Sequence, residues 1–167
     1  WLKIAGDGGQ RVLDLTVKDV QPNAAVTFAV PDAVRNATER VTSEKVADGV
    51  WFMAGGSHNS VLIEMIDHLV LVEAPLNDAR MAAVFEEIRR VSAGKPVRFV
   101  INSHAHFDHS GGLRLAAGEG ATVVTQRANA AYFEQALSQP ASVVPDRLAR
   151  SGRRVRVQGV DDRAVLT

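Results

Sequence analysis

The stretch "VRFVINSHAHFDHSGGL", residues 97–113, decides how the rest of the chain is read. Its first residues, Val97 to Ile101, form a nearly continuous apolar run, the pattern of a strand buried on both faces. Then His104, His106, Asp108 and His109 fall close together in a chain that has only 5 histidines. In an extended chain, side chains two apart share a face, so His104, His106 and Asp108 converge as the strand ends. His109 breaks that parity and joins them only if the chain turns, which Ser110, Gly111 and Gly112 permit at the start of a helix. Imidazole nitrogens and a carboxylate oxygen bind a borderline divalent cation such as zinc at ~2.0–2.2 Å with no thiolate required. The ordinary alternative is a histidine-rich surface loop, but composition alone produces this pattern with a chance of about 3 in 10,000. The cluster therefore reads as a metal site at the C-terminal end of a strand, where α/β sheets commonly place chemistry.

Working outward, Asn77 is placed as an N-cap with Asp78 in the first turn. Met81, Val84, Phe85, Ile88 and Val91 follow at helical spacing, and Gly94 and Pro96 stop the run. Downstream, a short helix around residues 110–117, a strand "ATVVT" (121–125), a helix "RANAAYFEQAL" (127–137) and a strand "RRVRVQGV" (153–160) complete a β-α-β-α-β succession. Upstream, "EKVADGVWFMAGG" (44–56) offers short strands around Val46 and from Val50 to Met53. "NSVLIEMI" (59–66) and "LVLVEA" (69–74) flank Asp67 and His68 as a hairpin. Nearer the start, "VLDLTVKDV" (12–20) alternates Leu13, Leu15 and Val17 against Asp14, Thr16 and Lys18, and "AAVTFAV" (24–30) repeats the period, so the two are expected to pair across Gln21, Pro22 and Asn23. Residues 31–44 are polar and unpatterned, a linker. The division expected is therefore 1–40, the tail of a preceding β-rich region plus linker, and 41–167, a second unit with α/β architecture.

The 167 residues suit one domain plus a partial neighbour. Hydrophobic residues at 46% and charged residues at 23% are those of a folded, soluble chain, so wholesale disorder is excluded. The balance of 19 basic and 19 acidic residues leaves no global field directed at nucleic acid or anionic lipid. The absence of cysteine excludes disulfides, thiolate nucleophiles and iron–sulfur clusters in this segment and does not discriminate between compartments. No apolar run approaches the ~20 residues needed to span a bilayer. A chain opening on Trp1 with no charged-then-apolar leader is expected to begin downstream of a natural start.

The pattern His104-x-His106-x-Asp108-His109 resembles the signature of the metallo-β-lactamase fold superfamily, and the strand before it and the Gly-Gly helix start after it are similar too, over about residues 44–167. The resemblance implies an αββα sandwich with a dinuclear site between two sheets, here its first half preceded by a short β segment. His104 and His106 would ligate the first metal, Asp108 and His109 the second, and Asp108 would also orient the bridging hydroxide as the catalytic carboxylate. Zinc, two per complete domain, is the implied cofactor, with iron or manganese as alternatives. The family usually carries an aspartate at the end of the strand before the first long helix; this chain has Glu73 there, in a position beside the metals. The family's remaining ligands lie in its second half, and no histidine follows His109, so the chain is expected to be the first half of a catalytic domain. The implied activity is metal-dependent hydrolysis of a small-molecule ester, thioester, lactone, lactam or phosphodiester, by two cations ~3.5–4 Å apart. Two alternatives stand beside it: a mononuclear iron sulfur dioxygenase with the same motif, and a metal-binding or assembly fragment without turnover, whose uncovered sheet face would favour a homo-oligomer or exchange with another copy.

Other residues have more ordinary readings. His58, in the turn "GGSHNS" (55–60), is first an exposed turn histidine, with contact to substrate as the functional alternative. His68 is expected in solvent at its hairpin turn. Arg147, Arg150, Arg153, Arg154 and Arg156 form a cluster whose sharp reading is nucleic-acid binding, but a neutral chain with few aromatics favours a solvated face. Tyr132 and Phe133 are both expected in the core. Gly111 and Gly112 lack the lysine and spacing of a phosphate loop.

Overall fold

The computed structural model describes residues 2–5, 11–92 and 94–167. Contacts divide the chain into two units, Trp1–Ala37 and Thr38–Thr167. In the first, strand β1 (Leu2–Ala5) pairs antiparallel with β2 (Arg11–Leu15), matching Leu2 to Leu15 and Ile4 to Leu13. A single helical turn, α1 (Asp32–Arg35), follows much later. The expected pairing of residues 12–20 with 24–30 does not form. β2 ends at Leu15, its partner is β1, and Val26 and Phe28 are exposed at 61% and 90%. Alternation makes a segment competent to be a strand, but which edge it joins is set by the tertiary contacts available.

The second unit is built on a seven-stranded sheet whose spatial order is the order along the chain. Strands β3 (Thr42–Ala47), β4 (Val50–Ala54), β5 (Ser60–Glu64) and β6 (Leu69–Val72) run as an antiparallel meander. Helix α2 (Asp78–Val91) then carries the chain to β7 (Val97–Asn102), which lies parallel to β6. Helices α3 (Phe107–Ser110) and α4 (Leu113–Glu119) lead to β8 (Thr122–Gln126). Helices α5 (Arg127–Ser138) and α6 (Arg147–Ser151) lead to β9 (Val157–Val160), and both of these later strands are also parallel. The switch from two-residue to helical periodicity in the sequence therefore marks the switch from hairpins to crossovers.

Helix α2 forms where its signals place it: the Asn77 side chain accepts from the Arg80 N–H at 2.9 Å, and Met81, Val84, Phe85 and Ile88 make its buried face. They join Leu113, Leu115 and Ala116 of α4 and Phe133 and Leu137 of α5 on one side of the sheet, against Leu62, Leu69, Leu71, Val100 and Val123. The other side carries a smaller cluster, Val70, Phe99 and Val124, with Ile63, Ile101, Val160 and Leu166 packed around it. Central strand β7 contributes to both clusters, which is why its sequence is an apolar run without alternation. No helix among the described residues is long and apolar enough to cross a membrane.

Two side-chain expectations are corrected. His68 is buried, 3% exposed, and its ring packs edge-on against Phe99 with centroids 5.6 Å apart. The 65–68 turn closes through the Met65 N–H donating to the His68 carbonyl at 2.9 Å, and Asp67 holds His68 Nδ1 at 2.7 Å; the solvated residues of the turn are Met65, Ile66 and Asp67. Of the pair on α5, Phe133 is in the core while Tyr132 is 54% exposed, since adjacent residues on a helix point about 100° apart.

Candidate metal centre

The histidine-rich segment is held by the neighbouring loop that joins β6 to α2. The Ala74 N–H donates to the His109 carbonyl at 3.1 Å, the Leu76 N–H to the Phe107 carbonyl at 3.1 Å, and the Gly112 N–H to the Ala74 carbonyl at 2.9 Å. Two backbones can approach this closely only where a side chain is missing. A Cβ on Gly111 would sit 2.0 Å from the Leu76 carbonyl oxygen. Glu73 and Leu76 both adopt φ of 67°, a left-handed conformation that costs non-glycine residues free energy and persists only where the surroundings impose it. At Glu73 the imposing groups are visible: its carbonyl accepts from Ser60 Oγ at 3.0 Å, and its carboxylate accepts from the Ser103 N–H at 3.0 Å and from Asn102 Nδ2 at 3.2 Å. Asn102 Nδ2 also donates to the His109 carbonyl at 2.9 Å, so one buried amide ties β7, Glu73 and α3 together.

On this frame the donors gather. His58, Asp108 and His109 each present a ligand atom, all within 4.8 Å of one another. His58 Nε2 lies 3.0 Å from Asp108 Oδ2, and His109 Nε2 lies 3.9 Å from the same oxygen. The ring of His104 is 4.3 Å from that of His109 and 4.8 Å from that of His106, centroid to centroid. Glu73 Oε2 stands 3.4 Å from His109 Nδ1, so the longer acid does reach the histidine cluster. His106, the last residue before α3, turns the chain, and its carbonyl accepts from the His109 N–H at 2.9 Å, which brings His109 round to the face of its predecessors.

Two imidazoles and a carboxylate, His58, His109 and Asp108, make a donor set suited to a borderline divalent cation, with the His104 ring against His109 and the His106 ring against His104. Among the described residues Asp108 faces two imidazoles and no arginine or lysine, so its negative charge has no fixed positive partner. Burying or half-burying such a charge is costly unless a cation joins it. The residues present therefore fit a metal ion.

His58, read from the sequence first as an exposed turn histidine, lies with Asp108 and His109 in the group that could hold a metal ion. It is 36% exposed at the side chain and has φ of 46°, two residues after Gly56 at φ 84°, so the "GGSHNS" turn delivers the ring to Asp108. The two glycines were the available signal, since they mark a loop bent for a purpose that a simple hairpin would not need. The arginine cluster stays outside: Arg147 pairs with Glu119 at 2.9 Å, and Arg153 and Arg156 donate to the Gly118 and Gly120 carbonyls at the end of α4.

The family model of the metallo-beta-lactamase superfamily (Lactamase_B) matches residues 53–153 of this chain. Among solved structures, a metallo-beta-lactamase from Pontibacter korlensis superposes with TM-score 0.56 at 16% identity, covering 77% of this chain and 56% of that one. A Cronobacter sakazakii metallo-beta-lactamase with a HARLDQ motif does so with TM-score 0.54 at 26% identity, covering 76% and 48%. FIM-1 from Pseudomonas aeruginosa, in a mono-zinc form, does so with TM-score 0.53 at 18% identity, covering 74% and 51%. The chain thus spans about half the length of these structures. No curated protein matches it.

Proposed function

This chain belongs to the metallo-β-lactamase superfamily, and from that premise we propose that it is part of a metal-dependent hydrolase whose zinc is held by His104, His106, Asp108 and His109, with His58 as an added donor. The observation that carries this reading is the convergence of His58, Asp108 and His109 within 4.8 Å, with the His104 ring adjoining. A divalent cation in such a set supplies Lewis acidity and brings the pKa of a bound water toward ~7.

The chain's own residues then have distinct tasks. His104 and His106 offer ring nitrogens from the segment that follows β7; Asp108 contributes charge and accepts a hydrogen bond through the oxygen that faces His58. Glu73 holds the His109 ring and the Ser103 N–H, fixing the direction in which His109 presents its other nitrogen. No side chain need act as nucleophile, which agrees with a chain free of cysteine. The substrate class is a small molecule with an ester, thioester, lactone, lactam or phosphodiester bond. The test is zinc-dependent turnover of a chromogenic ester and of bis(p-nitrophenyl) phosphate. Activity removed by chelation, restored by zinc and lowered at least ~100-fold in Asp108→Asn supports the reading. Oxygen uptake with an iron-loaded protein and a sulfur substrate, without hydrolysis, refutes it.

A further inference from the structure

Arg80 opens α2 yet its side chain is only 7% exposed, and a buried guanidinium is retained only where its charge and donors are met. Here they are. Nε and Nη2 both reach Glu39 Oε2 at 2.8 Å, and Nη1 donates to the Ser57 and His58 carbonyls at 3.2 and 3.3 Å. The last two bonds grip the backbone of the turn that carries the His58 ring. Gly55 leaves the room: a Cβ there would stand 2.8 Å from Nη1 and 2.9 Å from Cζ of Arg80. Asn59 Oδ1 closes the same turn by accepting from the Gly55 N–H at 3.2 Å. A turn with φ of 46° at His58 and 84° at Gly56 would not keep that shape unsupported.

We propose that Arg80, braced by Glu39, is a positioning residue that sets the His58 imidazole against Asp108 and so makes His58 a member of the metal centre; this rests on the metal-site reading above. A buried ion pair adds little net stability compared with apolar packing, but it fixes geometry, because the planar guanidinium holds two carbonyls and a carboxylate in one arrangement. Lysine at this position keeps the charge and loses the fork. Substitution of groups that orient ligands typically weakens metal binding ~10–100-fold.

The test uses the full chain, first without metal, reading proton NOEs between imidazole rings, and then with zinc by calorimetric titration. The His58 and His109 rings meet edge-on at 5.4 Å between centroids, and His104 and His109 at 4.3 Å, so both contacts give cross-peaks in the wild type. In Arg80→Lys and in Gly55→Ala, the His58–His109 cross-peak should vanish while the His104–His109 one persists, and zinc affinity should fall ~10-fold. Glu39→Gln should weaken the His58 contact in the same selective way. Retention of the His58 contact in these variants overturns the proposal. So does loss of both contacts together, which would make Arg80 a general structural anchor. If Arg80→Lys does not fold, Gly55→Ala and Glu39→Gln decide by the same two cross-peaks. A wild type that takes up no zinc refutes the metal-site reading alone, since the metal-free cross-peaks still judge Arg80.

Discussion

Gly111→Ala should damage this protein more than any ordinary surface substitution, although the backbone at Gly111 is right-handed helical with φ of −63° and alanine would accept it without strain. The obstacle is space. The added Cβ would lie 2.0 Å from the Leu76 oxygen, 2.6 Å from the Leu76 carbonyl carbon and 2.7 Å from the Phe107 oxygen, all of them main-chain atoms. No side chain can swing away, so the β6–α2 loop must separate from α3, across the three backbone hydrogen bonds of Ala74, Leu76 and Gly112. Leaving a buried donor or acceptor unpaired costs ~1–3 kcal/mol, so loss of two of these bonds destabilises by about 3 kcal/mol. For a unit of this size that lowers the melting temperature by about 10 °C. Gly94→Ala is the control: φ is 79° and nothing lies within 4 Å, so only the left-handed conformation is penalised, by ~1–2 kcal/mol. Scanning calorimetry on the two variants, with zinc titration beside it, gives both readouts. Gly111→Ala should melt lower and bind zinc worse. If it melts no lower than Gly94→Ala, the close approach of the two loops is not what holds the site.

Two further outcomes follow from the ion pairs. The Glu87 carboxyl is brought from 4.5 down to about 2, first by hydrogen bonding from Arg90 and then by Ser43 Oγ, so the folded state resists protonation more than the unfolded one. The stability this gives is fully present above pH 4.5 and is lost as pH falls toward 2; Glu87→Gln should flatten that limb of a urea-midpoint against pH curve, and an unchanged acid limb would refute the assignment. Asp146 caps α6 by accepting from the Ala149 N–H at 2.8 Å and also pairs with Arg114, which holds its carboxyl below the usual range. Asp146→Ala should lower stability by about 2 kcal/mol, and Asp146→Asn, which keeps the cap, by less. Equal urea midpoints for those two would show that the cap contributes nothing.

What the sequence made legible was local. Asn77 with the 81, 84, 85, 88 spacing specifies helix α2 without help from the rest of the chain, and "VRFVIN" declares burial on both faces because no polar residue interrupts its centre. Within "HAHFDH" the meeting of the His104 and His109 rings is local too, since the residues are neighbours in sequence and the turn at His106 follows at once. The illegible parts depend on partners distant along the chain. "AAVTFAV" alternates as a strand does but finds no edge, and His68, in a turn of the kind that usually faces water, is buried with Phe99, from a strand far along the chain, packed on its ring. His58 and Arg80 lie on different elements and meet only in the folded unit, and neither residue type carries a periodic signal. Gly55 was the trace they left, a missing side chain required by a guanidinium that comes from another element.

The central claim is that these side chains hold a metal ion, and the most direct test is the metal content of the purified chain, equilibrated with zinc and desalted, beside His106→Ala and Asp108→Asn. The account predicts stoichiometric zinc in the wild type, with the metal lost from both variants while their folds persist by circular dichroism. A wild type that elutes without metal, or variants that keep as much zinc as the wild type, would contradict it.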